Sequence, residues 1–253
     1  MQQGKTMEAV WIAVWLGLAS TGSVLAHTFM ETEVDDPILP GKTCSVKETA
    51  SYGSYIYHFP SKYDLVFWPW TADEWTWHCK HSGFTAFGGD FDLTDKERQA
   101  IGDYLASAYD GEADEELRLT LLEGVYGLRD KSPHFRNRLL RVLARRYQNL
   151  GHFGKANEYR SIAWQQMKNL LKTDLEPRRR LEYLYLSANY ARQAGDAPGS
   201  DRYLQILNEE IARLREDLEN RPEELEGQAE YLLEAASQTV RITPGGQLEP
   251  DQD

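Results

Sequence analysis

The sequence predicts an α+β protein that is mainly α, with a small aromatic-rich β domain followed by an antiparallel helical array. Three observations lead to this prediction. The chain has 253 residues, of which 41% are hydrophobic, which is enough to bury a sizeable core. Residues 27–92 are dense in aromatic residues, with the prolines and glycines that punctuate short strands. From residue 94 onward, apolar residues recur at helical spacing.

Composition and motifs exclude several classes of protein. The formal net charge of -12 and the pI near 5.0 argue against a dedicated nucleic-acid binder. Two cysteines are too few for a disulfide-dense miniprotein, and a mean hydropathy of -0.60 is too polar for a polytopic membrane protein. The sequence contains no phosphate loop, nucleophile elbow, His-Glu-x-x-His motif or dinucleotide fingerprint. We therefore expect neither a catalytic residue nor a cofactor.

Residues 1–26 are predicted to be a signal peptide. Lys5 provides the positive start, residues 10–19 form an apolar run, and small residues precede a cleavage site between Ala26 and His27. The apolar run is shorter than the about 20 residues that a transmembrane helix needs. We expect a periplasmic or extracellular protein without a transmembrane span after cleavage. An uncleaved membrane anchor is the alternative.

Export changes the interpretation of the two cysteines. An oxidising compartment favours a disulfide between Cys44 and Cys79. The loop that this bridge closes contributes about 4 kcal/mol of stability in the chain-entropy model. That is a large share of the stability of a small, loop-rich domain.

The β domain is predicted to cover residues 27–92. Aromatic and polar residues alternate in 55–59 and 75–79, which is typical of half-buried strands. Pro60 and Pro69 lie between these two stretches as strand breakers, and Gly83, Gly88 and Gly89 favour turns.

The helical domain is predicted to cover residues 93–242. Thr94 and Glu97 form a capping box ahead of the first helix, and Ser132 followed by Pro133 matches the start of another. Further helices are expected near residues 157–172, 178–192, 201–218 and 223–239. The acidic tail, residues 243–253, has no apolar period and is predicted to be disordered.

Part of the helical domain resembles a tetratricopeptide repeat. The matching large and small positions are Leu140, Leu143, Ala144, Tyr147, Gly151, Phe153, Ala156 and Ala163. A second, poorer copy comprises Leu184, Ala188, Ala191, Gly195, Leu204 and Leu207. Its glycine lies 44 residues after the first, where a standard repeat has about 34. The resemblance implies an array of paired helices with longer helices or a wider linker; an irregular helical bundle is the alternative.

The N-terminal domain resembles an uncharacterised bacterial family in which two Cys-x-x-Cys knuckles precede repeat-like helices. The residues that carry the resemblance are Cys44-Ser-Val-Lys47, then Cys79-Lys-His-Ser82 and Gly89-Asp90-Phe91. Lys47 and Ser82 stand where the family has its other cysteines. The resemblance therefore implies a degenerate zinc ribbon in which a disulfide has replaced the metal.

Two features of the N-terminal domain offer an alternative function. His58, His78 and His81 could form a metal site with the nearby cysteines, although a disulfide would consume both thiolates. Trp68, Trp70, Trp75 and Trp77 could stack on sugars. We interpret the histidines as surface or edge-strand residues and the tryptophans as core and domain-interface residues, so no metal is assigned.

The charge distribution predicts where a partner binds. Residues 135–180 contain twelve basic and three acidic residues, whereas 209–253 contain thirteen acidic and four basic ones. A basic concave face of the array would suit an acidic protein partner, and charge pairing between neighbouring helices is the alternative. The residues predicted to bind the partner are Arg141, Arg145, Tyr147, Arg160 and Trp164. The sequence thus predicts an exported, non-enzymatic scaffold or adaptor; the alternative is a metal- or carbohydrate-binding protein that uses its N-terminal domain.

Overall fold

The computed structural model describes residues 28–51, 63–66, 75–216 and 223–245. The predicted signal peptide, His58, Trp68, Trp70 and residues 246–253 of the predicted tail lie outside the described residues. Within them, the predicted α+β, mainly α, fold class is confirmed. The strands are β1 (Thr28–Asp35), β2 (Thr43–Ser51), β3 (Thr76–His78) and β4 (Thr85–Phe87). The helices are α1 (Asp95–Ala108), α2 (Glu115–Gly127), α3 (Pro133–Asn149), α4 (Phe153–Leu170), α5 (Pro177–Gln193), α6 (Ala197–Glu216) and α7 (Glu223–Ala236), and a 3-10 turn (Thr239–Arg241) follows.

The described strands form two antiparallel pairs. In the longer pair, β1 and β2 pair from Thr28 opposite Ser51 to Asp35 opposite Thr43, with a register shift between Thr28 and Phe29. The turn between them is held by Asp36, whose Oδ1 accepts hydrogen bonds from the backbone N–H groups of Ile38 and Leu39 at 2.9 and 3.1 Å. The shorter pair joins β3 to β4.

Local capping explains where several helices begin. The predicted capping box is present at α1, where Thr94 accepts from the Glu97 N–H at 3.2 Å and Glu97 accepts from the Thr94 N–H at 3.0 Å. Ser132 caps α3 as predicted. By contrast, α6 begins at Ala197, four residues before the expected start, because the Asp196 carboxylate accepts from the Gly199 N–H at 2.9 Å and starts the helix there.

Helices α3–α4 and α5–α6 form two helical hairpins with the same turn. Gly151 and Gly195 adopt left-handed φ angles of 83° and 85°, which glycine tolerates without strain. Small buried residues occupy matching positions on both hairpins: Ala144 and Ala156 on the first, Ala188 and Ser200 on the second. These small side chains let the paired helices pack closely. The tetratricopeptide resemblance itself stays a prediction.

A continuous core joins the strands to the helices. Phe87 of β4 donates its backbone N–H to the Tyr126 hydroxyl of α2 at 3.0 Å, and the two rings lie 5.3 Å apart. The core continues through both helical hairpins to Ile242. Among the described helices, none combines the length and apolarity needed to cross a lipid bilayer.

Candidate functional site

A short acidic segment of the N-terminal region lies buried against the helical array. Tyr63, Asp64 and Leu65 are 2%, 0% and 6% exposed. Burying a carboxylate away from water costs free energy unless the charge is paired and hydrogen-bonded. The helices that surround this segment, residues 63–66, provide those partners.

Helix α4 supplies the charged partner of Asp64. Arg160 donates through Nε and Nη2 to the two carboxylate oxygens of Asp64 at 2.9 and 2.8 Å, and both side chains are 1% exposed. Burial lowers the pKa of Arg160, but the adjacent Asp64 raises it above the ordinary value, so the guanidinium stays charged. Arg160 also lies over the ring of Tyr63, 4.9 Å from its centroid.

Helices α3 and α5 hold the backbone of the same segment. Arg141 on α3 donates to the Asp64 carbonyl at 3.0 Å and to the Glu182 carboxylate of α5 at 2.8 Å. Asn189 on α5 donates to the Tyr63 carbonyl at 3.2 Å. Main-chain carbonyls and one carboxylate are therefore bound by three helices, an arrangement that we call the acidic-segment groove.

The structure corrects the predicted partner-binding surface. Arg141 and Arg160 are 1% exposed and Tyr147 is fully buried, so these three residues do not form an open face. The two arginines instead bind residues 63–66, and Tyr147 stacks on Tyr159 at 5.7 Å inside the first helical hairpin. Arg145 and Trp164 are half-buried.

Part of the basic stretch is paired with the acidic stretch across the array. Arg180 of α5 binds Glu210 of α6 at 2.9 Å, and Arg178 lies 3.8 Å from Glu224 of α7. At these positions the opposite charges neutralise each other, as the alternative interpretation of the charge pattern held.

An open cleft lies beside the acidic-segment groove, between α4 and the C-terminal end of α5. Its volume is about 360 Å³. The residues that line it are Asn157, Arg160, Ser161, Trp164, Tyr190, Gln193, Ala194 and Gly245. Among the predicted partner-binding residues, Arg160 and Trp164 both contribute to this α4–α5 cleft.

The predicted disulfide between Cys44 and Cys79 is present, with the Cα atoms 4.9 Å apart and both side chains buried. Asp36 is 4% exposed, and a carboxylate oxygen lies within 4.8 Å of both sulfur atoms. Its Oδ2 accepts no hydrogen bond from any residue that the structure describes. These three residues form the one group with metal-ligand spacing in the described part of the chain, but the disulfide leaves no thiolate to act as a ligand.

The charge of Asp36 should slow reduction of this disulfide. Thiol attack releases a thiolate, and a carboxylate within 4.8 Å disfavours that negative charge. Asp36→Asn retains the oxygen that caps the turn and removes the charge. We expect dithiothreitol to reduce the bridge about tenfold faster in this variant. The control is Asp35→Asn, which alters an exposed neighbour and should leave the rate of reduction unchanged. Alkylation followed by intact mass measures the rate. Equal rates in both variants would contradict a role for the Asp36 charge.

Of the histidines of the alternative metal site, the structure describes His78 and His81, and His58 lies outside the described residues. His78 is half-buried and its Nδ1 lies 2.8 Å from the Thr85 hydroxyl. His81 is exposed, and neither belongs to the metal-capable group of Asp36, Cys44 and Cys79. Burial, with a smaller effect from Arg118, lowers the pKa of His78 to about 4.

This pKa predicts an acid-sensitive stability. The unfolded chain binds the proton near pH 6.5, whereas the folded protein binds it only near pH 4, so the contribution of His78 is complete above pH 6.5 and is lost between these values. We expect a loss of about 1–2 kcal/mol, allowing for solvent screening of a half-buried group. Urea unfolding at several pH values should show a flatter profile for His78→Gln, while His81→Gln should follow the wild type.

Trp77 and Asp90, two residues of the N-terminal region, bind other parts of the fold. Trp77 donates its indole N–H to the Lys47 carbonyl at 2.9 Å and packs edge-on against Phe91, with ring centroids 5.2 Å apart. Asp90 binds Lys131 at 2.8 Å and Tyr126 at 2.9 Å. Although burial raises the pKa of Asp90, these hydrogen bonds and the nearby cations lower it below its ordinary range.

Sequence reasoning missed the binding partners within the groove. Asp64, Glu182 and Asn189 belong to no motif, and they meet the two arginines only through the tertiary fold. One signal was present in the sequence: Arg160 occupies the helical stripe of Ala156 and Ala163, both fully buried. A cation on a buried stripe predicts a buried acidic partner.

Comparison of the chain with protein-family models, with curated proteins and with solved structures finds no match.

Proposed function

We propose that the chain is an exported, non-enzymatic adaptor whose helical array binds a short acidic segment of a protein partner. The observation that supports the proposal is how three helices hold the chain's own Asp64. Arg141 and Asn189 bind main-chain carbonyls, which every peptide offers, and Arg160 binds a carboxylate. Export is inferred from residues 1–26 and is compatible with the disulfide.

The groove favours an acidic partner segment with an aromatic residue before the acid. Arg160 is buried, so a segment without a carboxylate would leave this cation unpaired, at a cost of several kcal/mol. Tyr63 packs its ring against Arg160 and edge-on against Tyr190, with ring centroids 6.3 Å apart in the second contact. A partner segment with an aromatic ring followed by a carboxylate would make the same contacts and would displace residues 63–66 from the groove.

Binding of a synthetic peptide in trans tests the proposal. The probe is a fluorescent peptide with the sequence of residues 61–67, and the readout is fluorescence anisotropy with full-length protein. Asp64→Asn weakens the tethered competitor while preserving its size. We expect the peptide to bind this variant at least about tenfold more tightly than the wild type, whose own segment competes at high effective concentration.

The matched control is the same peptide with asparagine in place of aspartate, which should not bind. Circular dichroism establishes beforehand that the Asp64→Asn protein is folded. If the folded variant binds neither peptide, residues 63–66 only fasten the N-terminal region to the helices, and the adaptor proposal fails.

A further inference from the structure

Asp36, Cys44 and Cys79 bring three metal-ligating groups to one point in the N-terminal region. Asp36 follows β1, Cys44 lies in β2 and Cys79 follows β3, and their ligand atoms lie within 4.8 Å of one another. The three residues are 4%, 2% and 0% exposed. Ligand atoms around a tetrahedral zinc ion lie roughly 3.5–4 Å apart, so small shifts of these side chains would complete that geometry.

Asp36 has a carboxylate oxygen that the described contacts leave without a partner. Its Oδ1 accepts the hydrogen bonds of the turn from Ile38 and Leu39. Its Oδ2 is buried and accepts none from the residues that the structure describes. Burying such an oxygen costs free energy, and a cation bound at Oδ2 would offset that cost.

The backbone holds these residues in place independently of the disulfide. The Asp36 N–H donates to the Lys42 carbonyl at 2.9 Å, which closes the turn between β1 and β2. The Cys79 N–H donates to the Phe84 carbonyl at 2.9 Å, and Cys44 is part of the β1–β2 ladder. We therefore expect reduction of the bridge to leave the two thiols and the carboxylate close together.

Reduction turns the group into a donor set for a thiophilic cation. An external dithiol supplies two electrons and two protons, so the S–S bond breaks into two thiols and the dithiol becomes a disulfide. A divalent cation then displaces both thiol protons and binds two thiolates and one carboxylate. Its double positive charge offsets three negative charges that would otherwise lie within 4.8 Å of one another.

This donor set favours zinc. Thiolate sulfur binds zinc in preference to calcium and magnesium, which take oxygen ligands. We propose that Asp36, Cys44 and Cys79 bind one Zn²⁺ ion in the reduced protein, with the fourth tetrahedral position open to water. Asp36 belongs to neither Cys-x-x-Cys frame, and the three residues lie outside the acidic-segment groove, so the proposal does not depend on the adaptor function.

Zinc titration of the full-length protein in both redox states tests the proposal. The protein is reduced with a phosphine under argon, desalted, and titrated with Zn²⁺ in competition with a chromophoric chelator. We expect one Zn²⁺ to bind each reduced chain and none to bind the oxidised chain in the same range of concentration. Co²⁺ used in place of Zn²⁺ should give thiolate-to-cobalt absorption and the visible bands of a tetrahedral site.

Two aspartate variants separate a ligand from a nearby charge. Asp36→Asn keeps an oxygen for the turn and removes the anionic ligand, so it should weaken Zn²⁺ binding to the reduced protein at least about tenfold. Asp35→Asn removes the charge of the exposed neighbour and should leave the affinity within about twofold. Circular dichroism follows the fold, and Zn²⁺ should restore the secondary structure of any reduced chain that has unfolded, because metal binding and folding are coupled.

Three results would overturn the proposal. The first is equal Zn²⁺ binding by the reduced and the oxidised protein. The second is Asp36→Asn binding Zn²⁺ as tightly as the wild type, which would leave the thiols as the ligands without the carboxylate. The third is Zn²⁺ binding that neither refolds the reduced chain nor raises its urea midpoint, which would assign the ion to thiols of the unfolded chain. None of these results bears on peptide binding to the Asp64→Asn protein.

Discussion

Replacing Asp64 with alanine should lower the free energy of unfolding by about 3–5 kcal/mol. The substitution leaves Arg160 buried without its counter-charge, because Asp64 accepts two hydrogen bonds from this guanidinium and both side chains are 1% exposed. Urea denaturation of the full-length protein, followed by circular dichroism, measures the loss.

Asp35→Ala is the matched control for this prediction. Asp35 is also an aspartate of the N-terminal region, but it is exposed, and its removal should change stability by less than about 0.5 kcal/mol. If Asp64→Ala and Asp35→Ala gave equally small losses, Arg160 would not depend on Asp64, and residues 63–66 would not be held as described.

Removing the disulfide is the second change with a large expected effect. The Cys44→Ala, Cys79→Ala double variant should lose about 2–4 kcal/mol, since the bridge restrains a long loop in the unfolded chain. In chemical denaturation, the double variant and the reduced wild type should unfold at the same denaturant concentration. The oxidised wild type should unfold at a clearly higher concentration. Coincident midpoints for all three samples would show that the bridge does not contribute to stability.

The two losses should not be additive. The disulfide spans a sequence separation of 35 residues, and Asp64 lies inside that loop. Opening the loop lowers the effective concentration of residues 63–66 at the groove, so part of the contribution of Asp64 is lost together with the bridge. The triple variant should therefore lose less than the sum of the separate losses.

Local chemistry made much of the fold predictable from the sequence. The capping box at Thr94 and the Ser132–Pro133 start depend on neighbours within one helical turn, and the structure has both. The disulfide could be predicted because the chain has two cysteines and export would place them in an oxidising compartment. The early start of α6 was missed because Pro198 and Gly199 are usual helix breakers, whereas Asp196 caps them into a first turn.

The groove was harder to predict because its contacts are non-local. Asp64 and Arg160 are 96 residues apart in sequence. Arginine is usually exposed, so Arg141 and Arg160 suggested an open basic face when only their charge was considered. Trp164 is half-buried and lines the cleft between α4 and α5, and its part in partner binding stays a prediction.

A double-mutant cycle between Asp64 and Arg160 tests most directly whether the array holds its own acidic segment. The cycle compares Asp64→Ala, Arg160→Met and the double variant with the wild type by urea denaturation. Each single variant leaves one buried charge unpaired, whereas the double variant leaves none. We predict a coupling energy of about 2–3 kcal/mol, with the double variant more stable than Asp64→Ala alone. Losses that add to within about 0.5 kcal/mol would contradict the account.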